Sequence, residues 1–173
     1  MSTSTTHRTR LTLVALIAVA ALVAATPAGA GSIRAVTSSD PLTDLSAEVN
    51  ATDGTRGVAI SVVGHGRTKV MFLVWGFDAS RAGEVHGAHV HIGPCVAGNG
   101  AAAGPHWNAG GGVSHHTEVW LDFTITPWGF GLAKATIPHE IPVDAAGSIV
   151  IHASPTAPDG TAGARLACLP MNY

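Results

Sequence analysis

Three histidines and one of the chain's two cysteines fall in one short stretch. It reads Gly87-Ala88-His89-Val90-His91-Ile92-Gly93-Pro94-Cys95, then a Gly/Ala-rich connection, then Ala103-Gly104-Pro105-His106-Trp107-Asn108. In a β-strand successive side chains point to opposite faces, so His89 and His91 point the same way, with Cα atoms roughly 7 Å apart. Two imidazoles on one face can share a metal ion. His106 follows Gly104-Pro105, a turn able to swing it back over the strand, and His152 closes the apolar run Ile149-Val150-Ile151. Imidazoles converging from several strands suit a transition metal, and copper in particular takes nitrogen ligands in a flattened geometry. Cys95 and Cys168 are the only cysteines. Arg165 precedes Cys168 by three residues and would stand beside the site if the two cysteines pair. A positive group near an open coordination position favours a small anionic substrate.

The elements that must position these residues are strands. The pattern predicts half-buried strands over 45–52 and 56–63, a long third strand over 68–77, and the histidine strand over 84–92. Residues 93–112, rich in Gly and Ala without apolar periodicity, read as a long loop of the kind that is often functional. Residues 118–126 alternate cleanly. They precede the Pro127-Trp128-Gly129 turn and a returning strand over 130–137, which predicts a hairpin. A strand over 148–152 and a short terminal segment over 164–169 complete the set. About eight antiparallel strands with frequent turns predict an all-β fold, a Greek-key β-barrel or sandwich with long metal-site loops. No amphipathic helix is expected.

Residues 1–30 have the form of a secretory signal peptide: Arg8 and Arg10, an apolar run from Leu11 to Ala25, and an Ala28-Gly29-Ala30 cleavage site. That run is shorter than the roughly 20 residues a membrane-spanning helix needs, so no membrane anchor is expected once it is removed. Residues 31–42, polar and rich in Ser and Thr, read as a flexible leader, and 43–173 as one domain. Of nine Lys and Arg, two lie in the signal segment. The remaining seven face eleven Asp and Glu, with no basic run, so nucleic acid is not an expected partner. Two cysteines in an exported chain predict one disulfide rather than free thiols or a Cys metal site.

His-Gly-Ala-His-Val-His-Ile-Gly (86–93), Ala-Gly-Pro-His-Trp-Asn (103–108), Ser-Ile-Val-Ile-His-Ala-Ser-Pro (148–155) and Ala-Gly-Ala-Arg-Leu-Ala-Cys (162–168) occur in this order. Together they resemble the copper–zinc superoxide dismutase family, bacterial secreted type, over about residues 45–168. The resemblance implies that His89, His91, His106 and His152 bind copper, and that Arg165 guides superoxide. It implies that His106 leaves the copper on reduction and carries a proton, and that Cys95 pairs with Cys168. It further implies an exported enzyme that converts superoxide to oxygen and hydrogen peroxide.

The segment after His106 departs from the two-metal pattern. It is short, offers only adjacent His115 and His116 and then Glu118, and lacks the Gly-Asp pair of the zinc site. The stretch between His152 and Arg165 is short too, and carries one acidic residue and no lysine. Both features resemble the copper-only branch of the family and leave zinc the doubtful cofactor. Without zinc, His106 needs another partner to orient its ring. Glu118 is the first candidate and Asp122 the second, and either also fits the solvated face of a strand. His115 and His116 read as loop residues or a degraded zinc site, His86 as a structural hydrogen-bonder, and Trp107, Trp120 and Trp128 as core or loop anchors. An extracellular copper-storage protein with the same fold is the rival function, needing the histidines but not Arg165. Strand faces leave a homodimer open.

Overall fold

Alternation of β-branched and apolar residues with small or polar ones produces strands that bury one face each. In the computed structural model, which describes residues 33–173, ten strands form in chain order. They are β1 (Arg34–Pro41), β2 (Thr43–Asp44), β3 (Arg56–Gly64), β4 (Arg67–Trp75), β5 (Val85–His86), β6 (Ala88–His91), β7 (Phe123–Thr124), β8 (Phe130–Ile137), β9 (Ser148–His152) and β10 (Arg165–Pro170). One sheet has the order β1-β3-β4-β8 and a second β2-β10-β9-β6, all antiparallel, with β5-β7 as a small separate pair. Residues 1–32, including the expected signal segment at 1–30, lie outside the described residues.

The two sheets form an all-β sandwich, and their ladders do not close into a barrel. Val36, Ala59, Val70, Phe72 and Val74 of the first sheet pack with Val90, Ile149, Ile151 and Leu169 of the second in one core. The second sheet is buried on its other face as well. There Val150 and Cys168 pack with Leu45, Ala103 and Cys95. This outer face of β6 and β9 carries the histidines. Only short 3-10 turns occur among the described residues, at Ala79–Arg81 and Gly100–Ala103, and no helix there is long and apolar enough to cross a membrane.

Five expectations need correction. The leader is largely β1: Arg34–Pro41 pairs residue for residue with Val63–Arg56. This edge strand buries only Val36, so main-chain hydrogen bonds rather than apolar area hold it, and its polar composition concealed it. Residues 45–52 form no strand. Asp44 caps Ser46, Asn50 caps Thr52, and these local side-chain bonds compete with a ladder. Leu45 is buried but Val49 is 94% exposed.

The histidine strand breaks at Gly87, whose N–H donates to Ser154 and whose carbonyl accepts from His152. The 118–126 segment buries Val119, Leu121, Phe123 and Ile125 as its alternation requires, but the expected hairpin does not form. The segment bonds to Glu84, Ala88 and Val90, while β8 pairs with β4. A Cβ at Gly131 would strike the Phe123 ring, so this segment crosses over β8 in face contact instead of pairing with it. Trp128 anchors no core: it is 81% exposed and stacks on Phe130. Trp107 is buried as expected.

Candidate metal centre

Ala88 and Val90 of β6 point into the core, so His89 and His91 point to the outer face, where both are fully buried. His152 stands on the same face at the end of β9. His106 arrives on the free edge of β6: Ile92 N–H donates to Pro105, Trp107 N–H donates to Val90, and His106 bridges to His91. Trp107 enters the core, and alternation therefore aims His106 at the other histidines. One ligand atom from each of His89, His91, His106 and His152 lies within 4.8 Å of the others.

Hydrogen bonding decides which nitrogen each ring offers. His91 donates from Nδ1 to the Gly104 carbonyl at 2.9 Å, His152 from Nδ1 to Gly163 at 3.2 Å, and His106 from Nδ1 to Glu118 Oε2 at 2.8 Å. Each keeps its lone pair on Nε2. The Nε2 atoms of His91 and His152 face each other at 3.3 Å. With both Nδ1 atoms protonated, that contact joins two lone pairs, which a cation between them would reconcile. His89 is reversed. Its Nε2 donates to Thr156 Oγ1 at 2.8 Å, and Thr156 donates through both Oγ1 and its N–H to the Asp122 carboxylate. His89 Nδ1 is left buried with no hydrogen-bond partner. An orphaned buried nitrogen converging with three further lone pairs fits a bound metal ion, with His89 ligating through Nδ1 and the others through Nε2.

Burial keeps the His89, His91 and His152 rings neutral. Burial, reinforced by the neighbouring histidines, pushes His89 down to about 2. Burial pushes His91 down to about 3 and His152 to about 4, against their hydrogen bonds to the Gly104 and Gly163 carbonyls, which act upward. Neutral imidazole is the metal-binding form. Burial alone would raise the Glu118 carboxyl, but hydrogen bonds from Trp120, Asn108 and His106 outweigh it and hold the group below its ordinary value.

Glycines admit the backbone that builds the site. Gly104 has φ +67°, and a Cβ there would press on the Ile92 side chain. Its conformation turns its carbonyl onto His91. A Cβ at Gly87 would sit 2.8 Å from Thr156 Oγ1, so the missing side chain lets the 153–163 loop settle against the strand and deliver Thr156.

Arg165 donates from Nη1 to the Gly100 carbonyl at 2.6 Å, and its charge reaches His91 and His152. Cys95 and Cys168 form a disulfide with Cα atoms 5.7 Å apart, tying the loop that carries Gly100 to β10. A cleft of about 660 Å³ opens onto the site between His106, Glu118, His152, Asp159 and Arg165. His106 keeps 17% of its side chain exposed, whereas His89 and His91 lie beneath.

Glu118 is the partner of His106, as its position suggested. Asp122 is not, because it serves His89 through Thr156. His115 and His116 lie with tilted rings 4.0 Å apart in exposed loop and do not join the cluster. His86 is a buried hydrogen-bonder whose Nδ1 donates to the His152 carbonyl at 2.8 Å. Thr156 and Asn108 were not expected at the site, and Trp120, expected as a core or loop anchor, donates from Nε1 to Glu118. Thr156 lies four residues beyond His152 in a loop without periodicity, and its only sequence signal was proximity to a ligand.

No protein-family model matches the chain, and no curated protein matches it significantly.

Proposed function

We propose that the protein is an exported copper-dependent superoxide dismutase of the copper-only type. One observation carries the reading. Four imidazole lone pairs converge, the His106 and His152 rings line a solvent cleft, and a tethered arginine stands at the same cleft. An all-imidazole donor set lacking thiolate or carboxylate suits copper, which also heads the divalent affinity order. The disulfide suits an oxidising, non-cytoplasmic compartment, in keeping with a signal peptide at residues 1–30.

When bound, copper would supply the one-electron chemistry by which two superoxide anions and two protons become dioxygen and hydrogen peroxide. The protein's residues do the rest. Arg165 cannot lose its charge at working pH, and with Nη1 held by Gly100 its remaining N–H groups can receive a small anion. His106 can take a proton at Nε2 while Nδ1–H stays on Glu118, whose carboxylate would stabilise the resulting imidazolium. The cleft admits water to replace that proton.

Copper-loaded protein should dismute superoxide, and metal analysis should find copper without stoichiometric zinc. Full copper occupancy with no dismutation would reassign the protein as a copper store or carrier. One zinc per chain would refute the copper-only assignment.

A further inference from the structure

The outer face of the β1-β3-β4-β8 sheet is unusual for a solvated surface. Alternation puts Val58 and Ile60 of β3, Met71 and Leu73 of β4, and Leu132 of β8 on this face, in adjacent register. Met71 is 38% and Leu132 49% exposed. At one end Trp75 pairs with Phe130, and the exposed Trp128 stacks on Phe130. An apolar patch this continuous marks an interaction surface.

Its charge identifies the occupant. Arg56, Arg67, Lys69 and Lys134 are exposed on these strands, and β3, β4 and β8 contain no Asp or Glu. None of the four cations forms an ion pair with a described residue. The chain beyond the signal segment is net acidic, so more than half of its cations are gathered on one face. A second copy of the chain would bring like charges together across a dyad. Aromatic side chains, long aliphatic ones and cations on a flat surface suit the headgroup layer of an anionic membrane, where Trp sits at the interface and Lys and Arg meet lipid phosphates.

We propose that this sheet face docks on an anionic lipid bilayer. The histidine cluster lies on the outer face of the opposite sheet, so docking leaves the metal site open to the surrounding fluid.

The exported protein should cosediment with phosphatidylcholine vesicles containing phosphatidylglycerol, and not with pure phosphatidylcholine vesicles. Added salt should weaken the binding. Lys69→Glu combined with Lys134→Glu should lower vesicle affinity at least about tenfold. Trp128→Ser should lower it severalfold and leave its salt dependence in place. All three positions are exposed, and unchanged melting curves and copper content would separate lost docking from lost folding. Lys69→Gln with Lys134→Gln, expected to give an intermediate loss, provides a second series if charge reversal disturbs the fold. No vesicle binding, equal binding to neutral and anionic vesicles, or wild-type affinity in the charge-reversed protein would overturn the proposal. Dimerisation in free solution abolished by the same substitutions would overturn it in favour of a second copy. The outcome does not depend on dismutase activity.

Discussion

His89 faces the cluster with the opposite nitrogen from the other three histidines, and Thr156 is the reason. Its hydroxyl, committed as donor to Asp122, can only accept from His89 Nε2–H. Thr156→Val should therefore release the His89 ring and lower copper affinity about 10- to 100-fold, measured by competition with a chelator. Thr156→Ser should restore most of it. If both variants bind copper like the wild type, the ring is held by packing alone. On the proposed dismutase reading, Arg165 would act by charge rather than ligation. Arg165→Ala should leave copper content unchanged and lower the dismutation rate on the order of tenfold at low ionic strength, with a flatter salt dependence. An unchanged salt profile would argue against the guiding role.

At the scale of elements, the site depends on how two loops are fastened to one sheet. The 93–104 loop is held by Gly93 N–H on Ala103, by the Gly104 carbonyl on His91, and by the disulfide. Gly104→Ala would place a Cβ where φ is +67° and against Ile92. Strain of this kind costs about 1–3 kcal/mol, to be read from denaturant melts of the metal-free protein, with copper affinity falling in parallel. Cys95 and Cys168 are 73 residues apart in the chain. Reducing them should cost about 4 kcal/mol in the chain-entropy treatment, visible as a lowered melting temperature in reductant. Equal melting with and without reductant would show that packing around Leu45, Ala103 and Val150 already holds the loop.

For the whole molecule, the neutral cluster links stability to pH. His89, His91 and His152 are pushed to about 2, 3 and 4 in the fold and return to about 6.5 when it opens. Below pH 6.5 the unfolded chain binds protons that the folded chain refuses, so unfolding is increasingly favoured as pH falls. Near pH 5 three such protons give a slope of up to about 4 kcal/mol per pH unit. The metal-free protein should lose stability steeply between pH 6.5 and 4, and a melting temperature flat over that range would refute the linkage. Bound copper should raise stability across this range without flattening the slope, because ligation keeps the same rings unprotonated in the fold.

The ligand types were legible because chemistry needs particular residues: His89 and His91 at a spacing of two, His106 behind a Gly-Pro turn, His152 at the end of an apolar run. The strands β3, β4, β8, β9 and β10 were legible because each buries one face or a continuous apolar run. Beyond that, residue types and their local direction follow from the chain read alone. Pairing partners depend on contacts far apart in the chain and were settled by the tertiary fold. It made an edge strand of Ser/Thr-rich Arg34–Pro41, broke the histidine strand where Gly87 meets the 153–163 loop, and gave Asp122 to His89 rather than to His106. A hydrogen bond between residues 34 or 67 positions apart leaves no periodic trace, because its energy comes from two groups meeting in space.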